Sequence, residues 1–156
     1  MKIVRDTREQ QGFHFMAEAE VVDEALPAGD YTIKGLEEVI VIERKASTGE
    51  LYQNLAKKVM KERFHKEMQK LDKIQFAYII CEFPESDLYT FPQNSGIPKS
   101  KQKYMKITAK YFRKLIYEIE NKYDVKFIYC NDKNHAEETT LSLLKETWEK
   151  HGNISK

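Results

Sequence analysis

The chain has 156 residues, 33% of them charged, and a formal net charge of +1; that length supports one ordinary core and not two. It has neither an apolar stretch long enough to span a bilayer nor the apolar N-terminal region of a secretion signal, so a cytoplasmic, nucleoid-associated protein with no membrane partner is expected. Cys81 and Cys130 each close an apolar run and read as buried free thiols of a reducing compartment, and the lack of a Cys/His cluster argues against zinc.

The near-zero total conceals a segregation of sign, with acids crowding residues 18–38 and bases crowding two later segments. That distribution, more than the sum, bears on nucleic-acid binding. Residues 2–6 form a first predicted strand, with Ile3 and Val4 apolar and Asp6 at its end. The mixed stretch 13–22 reads as a second strand leading into the Pro27-Ala28-Gly29 turn. Asp30 opens a third, DYTIK, which Gly35 turns back as a hairpin. The next strand is the β-branched run Val39-Ile40-Val41-Ile42, short enough to be a buried central strand, and it ends in Glu43-Arg44-Lys45.

Strand side chains alternate, so Glu43 and Lys45 share one face and Arg44 takes the other. Asp30, Glu43 and Lys45 then converge. Mg²⁺ takes oxygen ligands, commonly one or two carboxylates plus water and phosphate, and a neighbouring lysine stabilises negative charge or orients a water. The pattern reads as phosphodiester hydrolysis. The other reading is a hairpin with solvated ends, where Glu43 and Lys45 form an ion pair of little energy.

Ser47 and Glu50 have the spacing of a capping box, which opens a helix running to about Leu71. Leu51, Leu55, Met60, Phe64, Met68 and Leu71 give it an apolar stripe. Its polar face carries Lys57, Lys58, Lys61, Arg63, Lys66, Lys70 and Lys73, either solvated or set against phosphates beside the metal. Residues 76–81 are a buried strand ended by Glu82. Residues 84–98 form a long loop on which Tyr89 and Phe91 either stack on a base or anchor the loop to the core.

Residues 99–114 carry many bases and no acid, and run into a helix with Leu115, Ile116, Ile119 and Tyr123 inward. Lys103, Lys106 and Lys110 follow helical spacing and are candidates for one shared phosphate-binding face. A strand over 125–130 and a helix over 136–150 close the chain, the helix offering Leu141, Leu144 and Trp148 to the core or to a partner subunit. This order of strands and helices predicts an α/β three-layer domain with a mixed central sheet.

Asp6-Thr7-Arg8-Glu9, Leu26-Pro27-Ala28-Gly29-Asp30-Tyr31 and Glu43-Arg44-Lys45 together resemble, in order and spacing, the nuclease domain of XPF/Mus81/Hef-type structure-specific endonucleases, the ERCC4 domain. The resemblance continues weakly through Arg63-Phe64, the strand ending in Glu82 and the helix–strand–helix end. It implies a restriction-endonuclease-like fold, Mg²⁺ or Mn²⁺ as cofactor, and branched or flapped DNA as substrate in repair or recombination. It also implies Asp30 and Glu43 as metal ligands, Lys45 as the residue that orients water, and Asp6 and Glu9 as supporting catalytic residues. Asp6 and Glu9 can equally pair with Arg5 or Arg8. DNA contacts are expected from Arg8, Arg44, Arg63 and Lys66 as well as Lys103, Lys106 and Lys110.

The whole of 1–156 is expected to be one nuclease domain without the family's tandem helix-hairpin-helix, with a homodimer through the C-terminal helices. One departure stands out: where the family pattern has an Asp, this chain has Gly49, with Glu50 one position later. Gly49 keeps open a second reading, a non-catalytic DNA-binding or regulatory relative of the same fold.

Overall fold

The computed structural model describes residues 1–9, 12–15 and 19–152. Runs of β-branched and aromatic residues form six strands: β1 Lys2–Arg5, β2 Glu20–Asp23, β3 Tyr31–Ile33, β4 Ile40–Lys45, β5 Phe76–Cys81 and β6 Lys126–Tyr129. They build one mixed sheet in the order β2-β1-β3-β4-β5-β6. β3 is antiparallel to both β1 and β4, whereas β1 with β2, β4 with β5, and β5 with β6 are parallel. The predicted hairpin is therefore the antiparallel centre that joins two parallel wings.

Alternation along β4 sorts the core into two layers. Val41 packs with Ala77, Ile79 and Cys81 beneath helices α1 (Thr48–Ala56), α2 (Lys58–Leu71) and α4 (Ala109–Lys122). Ile40 and Ile42 face the other way, onto Phe13, Phe15, Tyr31 and helix α5 (Lys133–Thr147), which ends in a π-helical turn, Trp148–Gly152. The three-layer α/β expectation is met.

Four local expectations are corrected. The single helix from Ser47 to Leu71 is two, broken at Lys57, whose backbone is extended. Residues 56–58 are all good helix formers, so the break is tertiary: an unbroken helix would run about 36 Å, whereas a six-residue strand spans roughly 20 Å. The basic helix is likewise two pieces, α3 (Lys99–Gln102) and α4, the latter opened by the Thr108 hydroxyl accepting from the Tyr111 N–H at 3.1 Å. Lys103 and Lys106 lie outside both, so with Lys110 they do not share a helix face. The expected strand over 13–22 is observed only as the edge strand β2, and its residues 16–18 lie outside the described residues. At the capping box, Ser47 Oγ accepts from the Glu50 N–H, but Glu50 reaches back to the Ala46 N–H and not to Ser47.

Residues 84–98 contain a short 3-10 helix, Glu85–Leu88. Phe91 is buried, its ring stacked on Phe112 at 4.3 Å, so it anchors this loop to the core. Tyr89 is exposed, with the Arg113 guanidinium 4.2 Å from its ring centre.

Candidate active site

The ends of β3 and β4 are locked together by Asp30. Its N–H donates to the Ile42 carbonyl at 2.8 Å, and its Oδ2 accepts from the Arg44 N–H at 2.7 Å. Gly29, just before it, has φ of +81° and sits so close to Val41 that a Cβ would lie 2.2 Å from Cγ2. Only glycine fits there.

Glu43 and Lys45 do share a face, under α2, and both are buried, at 6% and 7% exposure. Lys45 Nζ stands 3.7 Å from Glu43 Oε1 and 5.5 Å from the centre of the Phe64 ring. The other oxygen, Glu43 Oε2, has no hydrogen-bond partner. A buried carboxylate oxygen without a donor is costly and calls for a missing partner.

Glu43 and Asp30 line a cleft of about 390 Å³, with Lys45 set behind Glu43 and outside the lining. Asp6, Asp30, Glu43 and Glu67 supply its acids, and Arg8, Arg63, Lys66 and Lys70 its bases. The α2 contributors recur at the three- and four-residue spacing of one helix face, which adjoins the buried stripe of Phe64, Met68 and Leu71. A larger depression of about 480 Å³ on α4 is lined by Lys110, Tyr111, Lys114 and Tyr117 among others. It has no acidic residue, whereas the smaller cleft offers four carboxylates.

Crowding of carboxylates sets the electrostatics. Burial pushes Asp30 up to about 6, against the Arg44 N–H, and the charge of Glu9 adds to the rise. Burial, reinforced by the Asp30 charge, raises Glu43 well above the ordinary range. For Glu67 burial also acts upward, but contact with Glu43, the Lys45 charge and the Gly29 N–H outweigh it and hold Glu67 low. Burial opposes the Lys45 ammonium, yet Glu43, Glu50 and Glu67 keep it charged. On the Lys45 side, one buried ammonium faces Glu43, Glu67 and Asp30 together.

Two expected site residues are engaged elsewhere. Asp6 lines the cleft, but its carboxylate accepts from the Leu26 N–H at 2.8 Å and from Arg8 Nε at 2.8 Å, as the Arg8 pairing alternative had it. Glu9 is turned to the opposite side of β4, where it binds Arg44 at 2.9 Å and accepts from the Tyr31 hydroxyl at 3.0 Å. Arg44, expected at DNA, is held there half-buried between Glu9 and Glu82, the second pair at 2.7 Å. Arg8, Arg63 and Lys66 do border the cleft; Lys103 and Lys106 do not line it, and Lys110 lies on α4. Sequence reading missed Glu67. Its one signal was position: an acid on an otherwise basic helix face, next to the buried Phe64 and Met68.

Among the described residues no three His, Cys, Asp or Glu side chains are already arranged to enclose a metal ion. An open site suits Mg²⁺, which keeps water and needs only one or two carboxylates. The oxygen-rich donor set and the orphaned Glu43 Oε2 fit such an ion.

The profile of the ERCC4 domain matches residues 5–143. This chain belongs to the ERCC4 domain family. Its fold is that of XPF from Aeropyrum pernix, at a TM-score of 0.68 and 15% identity over 99% of this chain and 69% of that one. The structure of XPF from Aeropyrum pernix in complex with DNA gives 0.66 and 16%, over 96% and 66%. No curated protein matches the chain by sequence.

Proposed function

We propose that this ERCC4 domain is a divalent-metal-dependent DNA endonuclease acting on branched or flapped DNA. The observation that carries the reading is the buried Glu43 with one oxygen paired to Lys45 and the other unpartnered, beside a second, half-buried carboxylate at Asp30. Asp30 and Glu43 would hold Mg²⁺ or Mn²⁺, which when bound polarises a phosphoryl oxygen and acidifies a water. In the hydrolysis a water oxygen bonds to phosphorus, the ester P–O bond breaks, and the departing oxygen takes up a proton.

Lys45 is held charged and nearly dry, so its ammonium stabilises the charge that grows on the phosphoryl group more strongly than a solvated lysine would. Phe64 fixes the ammonium from one side. Arg8, Arg63, Lys66 and Lys70 rim the acidic floor and would hold the flanking phosphates, opposing the repulsion between DNA and the carboxylates. Lys103, Lys106 and Lys110 are candidates for phosphates farther along the strand. The C-terminal helices remain the proposed dimer surface, which brings two cleavage sites to one branched substrate.

The test is cleavage of labelled linear, flapped, forked and four-way DNA with Mg²⁺, with Mn²⁺ and with chelator. Metal-dependent cutting biased towards branched forms is expected. Asp30→Asn and Glu43→Gln abolish cutting while DNA binding survives, and Lys45→Ala slows it about 10²–10³-fold. Full activity in chelator overturns the reading. Gly49 favours the second reading, a relative that binds DNA without cutting it; binding to forked DNA with no cleavage in either metal would establish that one.

A further inference from the structure

Glu67 sits on α2, twenty-four positions beyond Glu43, and the fold brings the two carboxylates together. Its Oε1 accepts the Gly29 N–H at 3.3 Å, and Glu67 lines the same cleft as Asp30 and Glu43. Asp30 follows Gly29 directly, so Glu67 is tied to the backbone that carries the first proposed ligand. Glu67 lies against Glu43, whose own Oε2 lacks a partner although the residue is 94% buried by its 6% exposure. Two further acids, Asp30 and Glu67, thus neighbour the carboxylate whose Oε2 has no hydrogen-bond donor. Gly49 supplies no side chain, and the space above it is closed, since a Cβ there would lie 2.3 Å from the Ser95 carbonyl.

We propose that Glu67 is a third acid of the metal centre, delivered from α2, which adds charge to Asp30 and Glu43 and accepts hydrogen bonds from water on the bound cation. The proposal rests on the metal-dependent reading above. Its chemical logic is that of carboxylates standing just outside a metal's direct ligands, whose removal typically costs 10–100-fold in affinity. Mg²⁺ and Mn²⁺ suit it because the former in particular retains several waters.

A purely structural role is the alternative, in which Glu67 only receives the Gly29 N–H. Glu67→Gln separates the two, because the glutamine oxygen still accepts that bond but carries no charge. Mn²⁺ titration calorimetry on the whole chain, without DNA, compares wild type, Glu67→Gln, Glu67→Asp, Asp30→Asn and, as a control on the exposed face of α2, Glu62→Gln. Glu67→Gln is expected to bind Mn²⁺ 10–100-fold more weakly with its metal-free melting temperature unchanged or raised. Glu67→Asp recovers part of the loss, and Glu62→Gln binds as wild type does.

Wild-type affinity in Glu67→Gln, alongside lost affinity in Asp30→Asn, overturns the role of Glu67 and leaves the metal centre standing. No Mn²⁺ binding to wild type, or binding unaffected by Asp30→Asn, overturns the metal-dependent reading itself.

Discussion

Glu43, Arg44 and Lys45 are adjacent in sequence and do unrelated work, because the pleat of β4 sends Arg44 to the other side of the sheet from its neighbours. Arg44 ties Glu9, from the segment after β1, to Glu82, at the end of β5. Arg44→Ala leaves both carboxylates without their cation, and at 11% exposure the loss approaches that of breaking a buried pair, about 3–5 kcal/mol. Lys45→Ala also takes the cation from a buried carboxylate, so urea denaturation should register both losses. The two should part in cleavage, which Lys45→Ala loses in the protein that stays folded and Arg44→Ala keeps; equal loss of cleavage per folded molecule would contradict this division. The alternation that separates them was legible in the sequence from the run of β-branched residues ending at Glu43. The partners of Arg44 were not, since Glu9 and Glu82 are thirty-five and thirty-eight positions away and only the sheet order brings them near. Asp6 was legible as a strand-end acid, but its satisfaction by the Leu26 N–H depends on how the chain returns beside β1.

At the scale of elements, α1 starts under the loop over 91–97, and their meeting point is Gly49. The Gly49 N–H donates to the Ser95 carbonyl at 3.1 Å, so backbone touches backbone there. Gly49→Ala or Gly49→Asp must push Ser95 aside. We expect a loss of about 1–3 kcal/mol, the usual cost of overpacking, together with faster proteolysis across 92–97. Unchanged melting and cleavage would mean that the loop yields freely. Most strands and the capped start of α1 could be read from β-branched runs and from Ser47 and Glu50. The breaks at Lys57 and within 103–108 could not, because neither site has proline or glycine. The first is imposed by packing; at the second the polar cap Thr108 was the available signal. Glu67 escaped notice for the same reason, as its place beside Glu43 depends on α2 restarting after the break.

For the whole molecule, packing acids together costs stability that a cation would return. Asp30 has its carboxyl raised from 3.8 to about 6. A carboxyl whose folded value exceeds its unfolded one contributes fully below the unfolded value, and that contribution is lost as pH rises through the folded one. Metal-free protein should therefore lose stability between about pH 4 and pH 7, by roughly 3 kcal/mol for a shift of this size. Asp30→Asn should flatten that fall and melt above wild type at pH 8 in chelator; Mn²⁺ should reverse the order by stabilising wild type alone. Scans with and without metal at pH 5 and pH 8 check it. The Arg44 bridge, on the far side of β4, is left unbroken by this exchange, although the Glu9 charge reaches Asp30. Through it, the cleft can lose its charges one at a time while the architecture stays closed. A lineage carrying this domain could thus retire its chemistry and retain a DNA-shaped scaffold, with inactivity and collapse as separate evolutionary events.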